Sequence, residues 1–81
     1  MTITLNEVKY IYEFAGVAHS CFCDVIAAQG RYRVNAKSIL GLFSLDLTKP
    51  IEVSLDDPLS NDEEKIQEFC NRVRAKAVLN N

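Results

Sequence analysis

Apolar and polar positions recur along the chain with two different periods, and the changes between them predict the structural elements. The short alternating stretch at residues 2–5 predicts an edge strand. From Asn6 onwards apolar residues recur at helical spacing, which predicts a helix over about residues 7–18 with Asn6 as its N-cap. The face of this helix that is expected to pack on the core carries five residues: Val8, Ile11, Tyr12, Ala15 and Ala18.

Two strands joined by a tight turn are predicted for the middle of the chain. Residues 21–28 are almost wholly apolar, and residues 31–36 alternate strictly between apolar and polar positions. Gly30 lies between them and suits a hairpin turn. The polar side of the second strand carries Arg31 and Arg33, which predicts either a solvated face or a contact with an anion or an acidic partner.

A short helix, a fourth strand and a long final helix are predicted for the rest of the chain. Ser38 suits the N-cap of a helix at residues 39–45, and residues 51–55 alternate as a strand does. A capping box formed by Ser60 and Glu63 predicts the start of the last helix. Its apolar stripe consists of five residues: Ile66, Phe69, Cys70, Val73 and Ala77.

The order of these elements, β-α-β-β-α-β-α, predicts the fold class. Three helices with one apolar side each must cover one face of a four-stranded antiparallel or mixed sheet, while the other face stays in water. The expected fold is therefore α+β, a two-layer open-faced β-sandwich. The chain of 81 residues predicts a single domain over residues 1–81.

Composition excludes several classes of protein. Hydrophobic residues make up 48% of the chain and charged residues 25%, which is typical of a folded globular domain. A net charge of −2 argues against nucleic acid as the main partner, because such binders carry a basic excess. No apolar run approaches the roughly 18 residues of a membrane span. The N-terminal residues also lack the order of a signal peptide, so we expect a cytoplasmic protein.

The cysteines predict neither a disulfide framework nor a metal site. Cys21, Cys23 and Cys70 are odd in number, and we expect them to be buried or half-buried thiols. The pair at 21 and 23 lacks the spacing of a zinc knuckle. No Ser/His/Asp set, phosphate loop or pair of acid–base carboxylates stands out either. The sequence therefore predicts no metal, no other cofactor and no enzyme.

One segment carries a family resemblance. Residues 37–45, KSILGLFSL, resemble the second-helix motif KSIMGVMSL of HPr, the small histidine phosphocarrier of the bacterial sugar phosphotransferase system. The order of elements resembles that family as well. The resemblance implies that Ser38 matches a serine phosphorylated by a kinase in many Gram-positive relatives. It also implies that Ile39, Leu40 and Phe43 form an apolar docking surface for partner proteins.

The other signature of that family is missing. HPr-like carriers have Gly-Ile-His-Ala-Arg-Pro after the first strand, whereas this chain has Leu5, Asn6 and Glu7 there. His19 lies only 38 − 19 = 19 positions before Ser38, too few for a helix and two strands with their turns. We therefore expect His19 at the end of the first helix. The interpretation is an HPr-like interaction or regulatory protein, related to the phosphotransferase system, that is not a histidine phosphocarrier.

Several alternatives stay open at this point. The chain could instead be an active phosphocarrier that uses His19 or another acceptor, or a stand-alone domain unrelated to phosphotransfer. Ser38 could be an N-cap without regulation, and the three apolar residues of the short helix could all be core. Around the helix axis Leu40 lies about 100° and Phe43 about 40° from Ile39, so we expect at least one of the three side chains to be largely exposed. A partner protein, or weak self-association as a homodimer, would then cover it.

Overall fold

The computed structural model describes the backbone of residues 1–59 and 61–79 and the side chains as far as residue 75. The elements of these residues are, in chain order, β1 Thr2–Ile3, α1 Val8–Ser20, β2 Asp24–Gln29, β3 Tyr32–Asn35, α2 Ile39–Phe43, β4 Ile51–Asp56 and α3 Asp62–Leu79. None of the described helices is long and apolar enough to cross a membrane.

The four strands form one antiparallel sheet in the order β1-β4-β2-β3. The central strands bury alternate residues, such as Val25, Ala27 and Val53, under the helices, and leave Asp24 and Ser54 exposed on the other face. This confirms the predicted two-layer α+β open-faced sandwich. The first strand lies at an edge as expected, although it is only two residues long.

The hairpin between β2 and β3 is confirmed. Gln29 pairs with Tyr32, so that Gly30 and Arg31 form the two-residue turn. Gly30 has φ of +59°, in the left-handed region that favours glycine. Both strands are shorter than predicted, since β2 begins only at Asp24. Tyr32, which the alternation of residues 31–36 predicts on the same side as Val34, is 68% exposed and is the first residue of the edge strand β3.

The prediction of the buried face of α1 is partly wrong, because the observed face is rotated about the helix axis by part of a turn. Val8 and Tyr12 are 52% and 54% exposed, whereas Tyr10 and Phe14 are buried together with the expected Ile11, Ala15 and Ala18. The reason is tertiary: the ring of Phe14 stacks on that of Phe69 of α3, with centroids 5.2 Å apart. That contact rotates Val8 and Tyr12 out of the core.

Asn6 is not the N-cap of α1, as was predicted. Its φ of +64° lies in the left-handed region, and its N–H donates to the Leu47 carbonyl at 3.1 Å. The N-cap is Glu7, which makes no capping hydrogen bond through its side chain. The loop before β4 therefore decides how the chain enters this helix.

The stripe predicted for α3 is confirmed at Ile66, Phe69, Cys70 and Val73, which are all buried. Ser60 and the side chain of Ala77 lie outside the described residues, so the capping box and the end of the stripe stay predictions.

Asp62 has a role that the sequence pattern did not indicate. Its carboxylate is buried and accepts hydrogen bonds from the backbone N–H groups of Leu59 at 3.0 Å and Phe22 at 3.3 Å. These bonds, that of Leu59 first, hold the pKa of Asp62 below its ordinary value despite the cost of burial. The carboxylate thus fixes the loop after α1 to the start of α3.

Candidate docking site on the second helix

Ser38 begins α2 as its N-cap, as the sequence predicted. Its side-chain hydroxyl accepts a hydrogen bond from the Gly41 N–H at 3.1 Å, and its backbone is extended. This bond satisfies one of the donors that a helix leaves unpaired at its start. The Ser38 side chain is nevertheless exposed, so it is open to a partner or an enzyme.

Gly41 allows the short helix to lie against the sheet. A Cβ atom at this position would come within 3.3 Å of the Ser38 hydroxyl oxygen and within 3.3 Å of the Val34 Cβ on β3. Both distances are tighter than ordinary contact. The glycine of the second-helix motif therefore permits a close approach of α2 to the edge strand, which sets how the rest of the helix is presented.

The helix divides its apolar residues between core and solvent. Leu42 is completely buried, whereas Leu40 is 84% exposed, Phe43 41% and Ile39 37%. The helix ends at Phe43 rather than at Leu45, and Leu45 is buried in the turn that follows. The prediction that at least one of the three outward positions is largely exposed is confirmed.

Helix α1 adds two apolar side chains beside them. The ring of Tyr12 lies against that of Phe43, with centroids 6.1 Å apart and an angle of 73° between the planes. Val8 lies one turn before Tyr12 on the same side of α1 and is also exposed. We call the five residues the α1/α2 apolar surface: Val8, Tyr12, Ile39, Leu40 and Phe43. The sequence pattern had placed the two α1 residues in the core, and the competing stripe of Tyr10 and Phe14 was the signal against it.

His19 lies where the spacing predicted, in the last turn of α1. Its Nε2–H donates to the backbone carbonyl of Lys37 at 2.9 Å, because a carbonyl only accepts. The ring therefore connects the end of α1 to the residue before Ser38. It is at the opposite end of α1 from the place that the family's histidine occupies.

The N-terminus of α1 carries a carboxylate in place of that histidine. Glu7 is the N-cap, is exposed, and forms an ion pair with Lys9 at 3.3 Å. A carboxylate at this point repels a phosphoryl group, and it lacks the ring nitrogen that a histidine carrier needs. The start of α1 thus presents a carboxylate and no imidazole.

The three cysteines are all buried and free: Cys21, Cys23 and Cys70. Burial, supported by a hydrogen bond to Asp62, raises the pKa of Cys23 to about 11, so its thiol is neutral near neutral pH. Within the described residues no three His, Cys, Asp or Glu side chains are placed to hold a metal ion. Arg33 is exposed on β3, whereas Arg31, which was predicted to share its strand face, lies in the hairpin turn and is exposed there.

No family model matches the sequence, and no curated protein matches it either. Solved structures do match it. An HPr from Thermoanaerobacter tengcongensis has a TM-score of 0.75 at 20% identity, over 94% of this chain and 91% of that one. The phosphocarrier protein HPr of Bacillus anthracis gives 0.69 at 20% identity, over 90% and 93% of the two chains.

A third solved structure is Crh, the catabolite repression containing protein of Bacillus subtilis, which is a domain-swapped dimer. Its TM-score is 0.67 at 23% identity, over 90% of this chain and 84% of that one. These likenesses span nearly the whole chain and agree with the order of elements. The protein therefore has the HPr-like fold.

Proposed function

We propose that this chain is an HPr-like interaction or regulatory protein related to the sugar phosphotransferase system, that it acts in the cytoplasm, and that it binds partner proteins through the α1/α2 apolar surface. It is neither an enzyme nor a histidine phosphocarrier. The observation that carries the proposal is the exposure of Leu40 and Phe43 on the short helix that begins at the exposed Ser38. Scattered apolar residues are normal on a protein surface, but a contiguous group on two neighbouring helices is typical of an interface.

The arrangement of the surface supports docking rather than loose packing. Leu42 and Leu45 already fill the core beneath α2, so the outward residues are not needed there. The edge-on contact between Tyr12 and Phe43 holds two aromatic rings at the surface in a defined orientation. Exposed aromatic and aliphatic side chains held in this way are typical anchors of protein interfaces.

Phosphorylation of Ser38 would regulate such docking. A phosphate adds close to two negative charges at neutral pH, next to Ile39 and Leu40. A partner that buries these side chains would have to accommodate that charge or be repelled by it. The exposed hydroxyl and the neighbouring Lys37 support Ser38 as the target of a serine kinase.

Binding measurements test the docking site. The purified first enzyme of the phosphotransferase system and an HPr-type serine kinase are titrated with the wild-type chain and with Leu40→Asp by calorimetry. We expect binding of at least one of them, and its loss in the variant, because a buried carboxylate without a partner is costly. Leu59→Asp is the matched control, since Leu59 is 57% exposed but lies outside the α1/α2 apolar surface. Equal loss of binding in both variants would contradict the proposed site.

A further inference from the structure

A second pair of exposed apolar side chains lies where the loop after α1 meets the loop before α3. Phe22 is 82% exposed and Leu59 is 57% exposed. Phe22 alternates with Cys21 and Cys23, which are both buried, so this loop sends two thiols into the core and leaves the aromatic ring outside. Burial of the ring and of Leu59 against a partner would remove a large apolar area from water.

The buried carboxylate of Asp62 holds these two residues together. One of its oxygens accepts the Phe22 N–H at 3.3 Å, and the other accepts the Leu59 N–H at 3.0 Å. Hydrogen bonds to an ionised acceptor are stronger than neutral ones. The two backbones are therefore fixed next to each other before any partner arrives, which lowers the entropy that binding would cost.

Exposed carboxylates accompany the two apolar residues along the chain: Asp24, Asp56, Asp57, Glu63 and Glu64. None of the five forms an ion pair with another described residue. Lys65, the next basic residue along α3, donates to the backbone carbonyl of Ser20 at 2.8 Å instead. The apolar pair thus has an acidic rim whose charge is not neutralised within the described part of the chain.

Two of these carboxylates are in an unfavourable arrangement. Asp24 on β2 is paired directly with Asp56 on β4, and like charges opposite each other destabilise a sheet. Glu63 and Glu64 suit the first turn of a helix, whose dipole favours acids, but the two strand aspartates gain nothing from that dipole. A cation from outside the chain would relieve their repulsion, so this pair points to a positively charged ligand.

We propose that Phe22, Leu59 and the five carboxylates form an interaction surface, which we call the Asp62 surface, for a protein segment that carries basic and apolar side chains together. The apolar side chains of the segment cover Phe22 and Leu59, and its lysines or arginines meet the carboxylates. An arginine also suits the exposed ring of Phe22, because a guanidinium group packs well over an aromatic face. The negative rim repels nucleic acid and anionic membranes, which leaves a basic segment of a protein as the fitting partner.

This inference goes beyond the proposed function and does not depend on it, because the Asp62 surface shares no residue with the α1/α2 apolar surface. Two apolar anchors are few for a protein interface, so the contact is weak and transient. Its charges speed association and make it sensitive to salt.

Calorimetric titration with a short synthetic peptide of leucine and lysine, ordered as an amphipathic helix, tests the proposal. We expect binding that weakens as salt is added. Phe22→Ser, and the double variant Asp24→Asn with Asp56→Asn, should each weaken binding by about fivefold or more. Tyr32→Ser is the matched control, since it removes an aromatic ring that is 68% exposed on β3 and lies outside the Asp62 surface. Circular dichroism verifies that each variant is folded.

Amide chemical shifts of the wild-type chain give a second measurement that needs no variant. On addition of the peptide they should change at Phe22, Asp56 and Leu59 rather than at Leu40 and Phe43. Absence of binding overturns the proposal, and so does a loss of binding in Leu40→Ser, which would place the peptide on the α1/α2 apolar surface.

Two further peptides separate the two parts of the proposed recognition. The same sequence with glutamate in place of lysine should not bind, because the acidic rim repels it. Oligolysine of the same charge should bind at least fivefold more weakly, because it has no side chain to cover Phe22 and Leu59. Equal binding of either peptide contradicts a surface that reads basic and apolar side chains together.

Discussion

The ring of Tyr12 lies edge-on to the ring of Phe43, with centroids 6.1 Å apart. The two residues belong to different helices and are 31 positions apart, and together they hold α1 and α2 in one exposed surface. The pattern of α1 had predicted Tyr12 as core and that of α2 had predicted Phe43 as a docking residue. Their contact means that a partner of α2 also meets α1.

Substitutions at Leu40 and Leu42 should separate surface from core within one helix. Leu40→Asp should change the free energy of unfolding by no more than about 0.5 kcal/mol, because the side chain is exposed. Leu42→Asp should cost several kcal/mol or unfold the chain, because it buries an unpaired charge. Thermal and urea unfolding measure the stability of both variants. If Leu40→Asp unfolded the chain as Leu42→Asp does, the residue would be core and the docking proposal would lose its main support.

Ser38 should show its two roles separately. Ser38→Ala removes the acceptor for the Gly41 N–H and should cost about 0.5–2 kcal/mol of stability. With an HPr-type serine kinase and ATP, the wild-type chain should gain one phosphate and Ser38→Ala none, as measured by intact mass. Ser44→Ala is the control, since Ser44 lies at the other end of α2 and its loss should leave the label in place. Labelling that persists in Ser38→Ala would place the phosphate elsewhere.

Incubation with the first enzyme of the phosphotransferase system and phosphoenolpyruvate should leave the mass of the chain unchanged. The start of α1 presents Glu7 rather than an imidazole, and His19 is at the opposite end of the helix. An authentic HPr in a parallel reaction shows that the enzyme is active. An acid-labile phosphate that disappears in His19→Ala would establish the alternative, an active phosphocarrier.

Acid should weaken the link between the loop after α1 and α3. The pKa of Asp62 is lowered in the folded state, so its ionised carboxylate contributes stability above the unfolded value of about 3.9. That contribution is lost as the pH falls through the lowered pKa. Asp62→Asn should be less stable than the wild-type chain at neutral pH. In urea unfolding between pH 2 and 7, it should also lose less stability on acidification than the wild-type chain does. Asp57→Asn is the control, since it removes an exposed carboxylate and leaves the hydrogen bonds of Asp62 in place.

Cys23 should react slowly with thiol reagents in the folded protein. Its pKa of about 11 leaves only about one thousandth of the thiol ionised at pH 8, and the side chain is buried. A colorimetric thiol assay should show slow reaction before unfolding and three rapidly reacting thiols in denaturant. Rapid reaction of Cys23 in the native state would mean that the loop held by Asp62 opens readily.

Local signals in the sequence determined much of the fold. The glycine between two predicted strands determined the hairpin, because a two-residue turn needs a left-handed residue at Gly30. A serine directly before an apolar segment predicted the cap at Ser38, and with it the start of α2. The stripe from Ile66 to Val73 has no competing stripe of equal weight on α3, so its buried side could be identified from spacing alone.

Tertiary contacts decided the remaining features, because each depends on residues far apart in the chain. Helix α1 carries two overlapping apolar stripes, and only the stacking of Phe14 on Phe69 selects the one that is buried. Asp62 looks like an ordinary acid in a first helical turn until the Phe22 N–H, 40 positions earlier, meets its carboxylate. The exposure of Tyr12 beside Phe43 follows from the first of these contacts. The sequence by itself therefore determined which segments are helix or strand, and the packing of those segments decided which side chains remain for partners.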